Sequence, residues 1–115
     1  MRALVVVAHP SPESLGHAAA RRAVAGLRAA GHDVDVLDLY ASDFRAAMSP
    51  EERAAYHGEE PIVDPLVAQH ADLARRAQIV LFVYPHWWGG MPAVLKGWLE
   101  RVLVPGVAFR FNDAG

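Results

Sequence analysis

Two segments of the sequence carry residue types suited to binding an anion and a flat ring. The first runs from His9 to His17 and places proline, serine and glycine just before an alanine-rich helical pattern. The free amides and dipole of a helix N-terminus favour a phosphate group, to which His9, Ser11 and Ser14 can add hydrogen bonds. In the alternative interpretation, Ser14 only caps the helix and the backbone satisfies His9. Both interpretations fit this segment.

The second segment, from Pro85 to Pro92, holds two adjacent tryptophans followed by two glycines. Neighbouring indoles in a loop expose large apolar rings unless a flat partner packs on them, and glycines let backbone amides approach the rim of such a ring. The segment therefore predicts a planar conjugated ligand. The alternative is that Trp87 and Trp88 fill the core. Trp98, in the middle of an amphipathic pattern, is predicted to be a core residue.

Other chemistries are excluded by what the sequence lacks. It contains no cysteine, so disulfides, thiolate metal sites and cysteine nucleophiles are impossible. Its six histidines form no i, i+4 pair, and we expect no metal site. Walker, G-x-G-x-x-G and G-x-S-x-G loops are absent as well. A net charge of -2 and a pI near 6.3 give no electrostatic footprint for nucleic acid.

Hydrophobic patterns predict the elements that position these two segments. Uninterrupted apolar runs predict buried strands at 4–8 and 79–84, and an alternating run predicts an edge strand at 33–39. Caps and apolar spacing predict helices at 15–30, 50–56, 64–77 and 92–103. This order predicts a single α/β domain over residues 1–115, a three-layer sandwich with a parallel sheet. Ligands bind such sheets beyond the carboxyl ends of the strands, where both segments lie.

The third predicted strand suggests that the domain is incomplete at its C-terminus. It has no polar alternation, so we expect both faces to be buried and both edges to be paired. The run from Val107 to Phe111 is too short to supply a fourth strand. We therefore expect these 115 residues to be the first part of a longer domain, or another chain to cover this edge. The alternative is a small sheet whose edge is capped by the C-terminal residues. The apolar start, Met1 to Ala8, is too short to span a membrane, and we expect a cytoplasmic protein.

Three stretches of the chain resemble a known family. They are Val5 to Pro10 with Ser14-Leu15, then Asp38-Leu39-Tyr40, and above all Tyr84 to Trp98. On these residues the chain resembles the flavodoxin-like NAD(P)H dehydrogenase (quinone) family, which includes ancillary oxidoreductases of bacterial potassium-efflux systems. The resemblance covers nearly the whole chain and implies a flavodoxin-like sheet with strand order 2-1-3, from which later strands are missing.

The resemblance also implies which residues bind a flavin. The phosphate and ribityl chain would be surrounded by His9, Ser14, Leu15 and Gly16, and the isoalloxazine would be bordered by Pro85, His86, Trp87, Trp88 and Gly89. Many relatives have asparagine in place of Gly16, so backbone would replace one side-chain contact there. The acid–base residues of well-known relatives lie beyond this chain's length, and no catalytic residue is assigned. Lys96 and Gly97 fit helix packing better than catalysis.

By this resemblance the chain is a flavin-dependent NAD(P)H:quinone oxidoreductase, or its first part. FMN or FAD would pass hydride from NAD(P)H to a quinone or similar acceptor, and the protein would form a homodimer. One alternative is a regulatory flavin-binding subunit that contacts a potassium-efflux membrane transporter and turns over little. Another is a truncated remnant that binds no flavin.

Overall fold

The computed structural model describes residues 1–110 and places all the predicted elements close to their expected ends. The elements within that range are β1 (Arg2–Val7), α1 (Leu15–Ala29), β2 (Asp33–Asp38), α2 (Pro50–Ala55), α3 (Pro65–Arg76), β3 (Ile79–Val83) and α4 (Ala93–Val102). None of the helices described there is long and apolar enough to cross a membrane.

The three strands form a parallel sheet in the order β2-β1-β3. Residues Ala3 to Ala8 are almost completely buried, because β1 is paired on both edges and covered on both faces. On one face, Leu4 and Val6 share a core with α3 and α4; on the other, Val5 and Val7 pack against α1. The predicted three-layer α/β architecture and strand order are confirmed.

Local capping explains where the helices begin. Ser14 has extended backbone angles and accepts a hydrogen bond from the amide of His17, which makes it the N-cap of α1. Ser49 and Glu52 form a reciprocal capping box at α2, where Pro50 occupies the first turn. Asp64 caps α3 by accepting from the first-turn amides. These predicted helix starts are confirmed.

One predicted helix face is shifted. Sequence spacing places Leu66, His70, Leu73 and Ala77 on one core stripe of the helix predicted at 64–77. Leu66 is exposed, whereas His70 is buried together with Val67 and Ala71, and Ala77 is partly buried against the core. Leu73 is only partly buried against this core. The stripe is displaced because α3 packs against α4 as well as against the sheet.

The outer edge of β3 differs from the expectation of a strand buried on both faces. Among residues 1–110, β3 pairs with β1 only. Val80 and Leu81, which point to opposite faces, retain 39% and 37% exposure. Near the chain end, Pro105 forms an isolated parallel bridge with Phe109, and the last residue of the predicted 107–111 run lies outside the described residues.

Candidate functional site at the carboxyl edge of the sheet

The sheet brings the two predicted ligand segments to the same edge. β1 and β3 are parallel neighbours whose last residues, Val7 and Val83, are register partners. The loops that follow them therefore leave the sheet side by side. The rings of His9, after β1, and Trp87, after β3, lie 6.2 Å apart between centroids.

On the α1 side of this edge, Ser14 and His9 both make local hydrogen bonds. The Ser14 hydroxyl accepts from the His17 amide at 3.1 Å, and the His9 Nδ1 accepts from the Ser11 amide at 3.0 Å. Ser14 thus caps the helix and the backbone satisfies His9, as the local interpretation predicted. This arrangement also fixes the loop immediately in front of the α1 N-terminus.

Gly16 leaves a small open cradle at the same helix end. A Cβ added there would lie 3.6 Å from the Ser14 hydroxyl oxygen and 3.8 Å from His9 Cδ2, so it would fill the space between these two side chains. The amides of Leu15 and Gly16 precede the first i to i−4 hydrogen bond of α1, and amides in this position point outward toward an anion. The Leu15 side chain is 87% exposed beside them. The cradle therefore offers two amide donors of the kind that bind a phosphate group.

On the β3 side, residues 87–90 form a tight turn, here called the aromatic turn. Trp87 and Gly90 exchange two backbone hydrogen bonds of 3.0 Å. The central residues Trp88 and Gly89 have φ values of 50° and 71°, which are typical of a type I′ turn. Glycine adopts this conformation freely, whereas a bulky residue in it stores roughly 1–3 kcal/mol of strain. Gly89 is therefore needed first of all for the backbone conformation of the turn.

The aromatic turn presents its indoles to the outside. Trp88 is fully exposed, Trp87 is 42% exposed and the preceding Tyr84 is also 42% exposed. The alternative in which both indoles fill the core is therefore wrong, whereas the prediction that Trp98 is a core residue is confirmed, with 0% exposure. Strained backbone that holds an exposed aromatic side chain is characteristic of a binding surface.

Two further predicted residues flank the aromatic turn. Pro85 is partly buried and His86 is exposed. The described residues contain no cluster of three or more histidine or carboxylate side chains that could hold a metal ion. Gly97 has a packing role, because a Cβ there would overlap the backbone of Ala46. Lys96 is exposed and pairs with Glu100 one turn along α4.

Sequence reasoning missed a hydrogen-bond chain that links Ser14, His17 and Asp38. The Nε2 of His17 lies 3.0 Å from the Asp38 carboxylate, and its Nδ1 lies 3.0 Å from the Ser14 hydroxyl oxygen. His17 and Asp38 border two cavities, of about 120 and 290 Å³, on this side of the sheet. The sequence shows that Ser14 and His17 are three residues apart at the start of α1 and that Asp38 ends β2. It does not show that the three side chains meet, because that depends on the register of β2 in the sheet.

A second polar network, also missed, fixes the long connection between β2 and α3. Arg101 of α4 is 2% exposed and donates to Glu52 at 2.8 Å, to Asp64 at 3.0 Å and to the carbonyl oxygen of Arg45 at 2.7 Å. Burial alone raises the pKa of Glu52, but the hydrogen bond from Arg101 and those from Ser49 outweigh it and lower that pKa overall. Burial also raises the pKa of Asp64, yet its cap hydrogen bonds and Arg101 lower it overall.

His70 extends this network into the core. Its Nδ1 accepts the indole N–H of Trp98 at 3.1 Å, and its ring stacks on Phe44 at 5.3 Å. Burial lowers the pKa of His70, and the positive charge of Arg101 lowers it further, against a smaller opposing effect of Asp64. Through Trp98 and Arg101, the network is anchored on α4, the helix that follows the aromatic turn.

Comparison with known proteins agrees with this architecture. The family model described as "Flavodoxin-like fold" matches residues 1–115. NAD(P)H dehydrogenase (quinone) 1 of Rattus norvegicus is 35% identical over 126 residues, which cover 96% of this chain and 46% of that protein. An NAD(P)H:quinone oxidoreductase structure from Methanothermobacter marburgensis has a TM-score of 0.88 and 34% identity, with 97% of this chain and 57% of the other covered.

A more distant structure shares the fold alone. General stress protein 14 from Treponema denticola, solved in complex with FMN, has a TM-score of 0.64 and 23% identity, with coverage of 96% of this chain and 53% of that chain. The chain spans about half the length of the curated relatives it matches, from 45% to 57%. The family match over the whole length, together with the 2-1-3 parallel sheet, shows that this chain belongs to the flavodoxin-like family.

Proposed function

We propose that the carboxyl edge of this sheet binds a flavin, FMN or FAD, and that the protein passes hydride from NAD(P)H through that flavin to a quinone or a similar acceptor. The names of the rat and Methanothermobacter relatives support the reaction. The FMN complex of the Treponema protein supports the cofactor class for this fold.

The observation that carries the proposal is the strained aromatic turn beside the α1 N-terminus. Trp88 holds a left-handed φ of 50° with its indole fully exposed. The His9 ring, 6.2 Å from that of Trp87, connects this turn to the cradle at Gly16. A ligand with a flat ring at one end and a phosphate at the other matches both features, and the residues present fit a flavin.

Each part of the edge has a distinct role in this proposal. The amides of Leu15 and Gly16 bind the phosphate, and Ser14 orients them as the N-cap. The Gly90 amide is already used within the aromatic turn, which leaves the amides of Trp88 and Gly89 to hydrogen-bond the ring. A bound flavin supplies the hydride chemistry, and the protein supplies position, shielding from water and electronic tuning.

The open surroundings of the aromatic turn suggest that more protein completes the site. The indole of Trp88 has no covering element among residues 1–110, and the outer edge of β3 is unpaired there. Because the curated relatives are about twice as long, we propose that additional sequence extends the sheet and that a homodimer partner covers the ring.

Titration of the purified chain with FMN, FAD and riboflavin, followed by flavin fluorescence, tests the binding function. We expect Trp88→Asn to weaken FMN binding by about tenfold, since loss of one aromatic contact is worth about 1.4 kcal/mol. Asparagine tolerates a left-handed φ, so the variant should unfold at the same or a higher urea concentration than the wild type. Leu66→Asn, an exposed apolar position on α3, is the matched control.

The outcomes separate the candidate roles. Flavin binding with quinone-dependent NADH or NADPH oxidation supports the oxidoreductase, whereas binding without turnover favours a regulatory flavin-binding role. Equal FMN affinity in Trp88→Asn and the wild type would remove the aromatic turn from the site. A wild-type chain that is folded but binds none of the three flavins would contradict the proposal.

A further inference from the structure

We propose that His17 is a positioning residue that takes up a proton when a phosphate group binds beside Ser14, so that anion binding at the start of α1 is coupled to protonation of His17. This inference rests on the proposed flavin-binding function and deepens it. It follows from the donors and acceptors around the imidazole ring.

When the ring of His17 is neutral, the contacts around it direct the single hydrogen of the Ser14 hydroxyl at the ring. The ionised carboxylate of Asp38 can only accept, so His17 Nε2, at 3.0 Å, must be the protonated nitrogen. A neutral imidazole then has an acceptor at Nδ1, and the hydroxyl of Ser14, at 3.0 Å, donates to it. The same hydroxyl oxygen accepts from the His17 amide. Ser14 thus has no hydrogen left for a ligand.

Protonation of His17 reverses the middle hydrogen bond. With a hydrogen on both ring nitrogens, Nδ1 donates to the Ser14 oxygen, while Nε2 still donates to Asp38. The two acceptor sites of the Ser14 oxygen are then filled by the ring and by the His17 amide, and its own hydrogen can rotate outward to a phosphate oxygen. One proton from solvent enters at Nδ1, and no covalent bond between heavy atoms changes. The imidazolium also places a positive charge beside the anion.

The groups that face His17 set the balance between its two states. Asp38 of β2 stabilises the imidazolium and is the nearest charge. Arg21, one turn along α1, borders the same larger cavity and opposes the imidazolium. His9, with its ring 6.1 Å away, and Tyr40 line the smaller cavity on the other side. The α1 dipole also disfavours a cation at the helix N-terminus, and a bound phosphate cancels that effect.

Calorimetric titration with FMN, in two buffers of different ionisation enthalpy at the same pH, measures the proton uptake. Because the FMN phosphate itself titrates near pH 6, the quantity of interest is the difference between the wild type and His17→Gln. Glutamine can donate and accept hydrogen bonds but cannot be protonated. We expect the wild type to take up as much as one more proton per FMN than the variant does.

The same coupling appears in affinity. As pH rises from about 6 to 8, wild-type FMN affinity should fall more steeply than that of His17→Gln, by a factor approaching ten per pH unit for one linked proton. Riboflavin, which lacks the phosphate, should show no difference between the two proteins. Asp38→Asn provides a second test, because an amide supports the imidazolium less than a carboxylate does and should reduce the uptake even if His17→Gln does not fold.

The outcomes distinguish this inference from the flavin proposal. Equal proton uptake and equal pH slopes in the wild type, His17→Gln and Asp38→Asn, with FMN bound in all three, would overturn the coupling and leave the flavin site intact. A folded wild-type chain that binds no FMN would overturn both. The coupling is supported if the pH dependence of affinity differs between the wild type and His17→Gln for FMN and does not differ for riboflavin.

Discussion

Two clusters in this molecule use similar residues and differ in how completely they are enclosed. The inner cluster, around Arg101, pairs the indole of Trp98 with His70 and is buried in the core. The outer cluster, at the carboxyl edge, places Trp87 near His9 and leaves Trp88 fully exposed. Each contains a tryptophan beside a histidine, but only the inner cluster is closed.

The difference separates a polar network that holds the fold together from one that is available to a ligand. The described residues contain no buried side-chain nitrogen or oxygen without a hydrogen-bond partner, so the buried polar atoms of the inner cluster are already paired within the fold. In the outer cluster, Trp88 combines a left-handed backbone conformation with a fully exposed indole. Substitutions in the inner cluster should therefore reduce stability, and those in the outer cluster should mainly change binding.

The largest expected effect is that of Arg101→Met. This change keeps much of the side-chain volume but leaves Glu52 and Asp64 without their shared cation. Of its two arginine partners, the buried Glu52 would keep only the more exposed Arg45, so we expect the free energy of unfolding to fall by about 3 kcal/mol. Urea denaturation at pH 7 measures this loss.

A matched surface variant shows whether enclosure explains that loss. Arg76→Met breaks the exposed Arg76–Asp72 pair of α3, which should contribute no more than about 0.5 kcal/mol. If the two arginine variants lost equal stability, the inner cluster would have no special structural role.

Glycine substitutions make the same comparison through packing. A Cβ at Gly97 of α4 would overlap the backbone of Ala46, so Gly97→Ala should cost about 1–3 kcal/mol by forcing helix and loop apart. Gly90, in the aromatic turn, has no atom within 4 Å of the corresponding position, and Gly90→Ala should change stability by less than about 0.5 kcal/mol. A comparable loss in both variants, measured by thermal or urea unfolding, would contradict the contrast between the clusters.

Much of the fold follows from local sequence patterns. The apolar run of β1 predicted a central strand, and Ser14, Ser49 and Pro50 predicted where two helices begin. These signals are readable because a cap or a buried strand depends on a few consecutive residues. The exposure of Val80 was not predicted, since it depends on what pairs with β3.

The polar contacts could not be predicted in the same way. Arg101 meets Glu52 across 49 residues, and His17 meets Asp38 across 21, so both contacts require the packed fold. The aromatic turn also departs from the usual signal, because type I′ turns favour asparagine or glycine where Trp88 stands. Its position was predicted from the strand ends, whereas its backbone conformation was not.

The smallest expected effect concerns pH and His70. Burial and the nearby Arg101 charge hold the pKa of His70 below the ordinary histidine value, so the folded chain resists the proton that the unfolded chain takes up near pH 6.5. The contribution of neutral His70 to the free energy of unfolding should therefore be complete above about pH 6.5 and be lost as the pH falls below it. The structural reason is that a protonated Nδ1 would face the Trp98 N–H whose hydrogen bond it now accepts. His70→Gln can still accept that hydrogen bond but cannot titrate, so its stability should fall less between pH 7.5 and 5.5, a range over which an imidazole changes charge. His86→Gln, at the exposed edge, is the matched control. The measurement is the urea midpoint of unfolding as a function of pH over this range. If both variants kept the wild-type dependence of that midpoint on pH, the contrast would be contradicted.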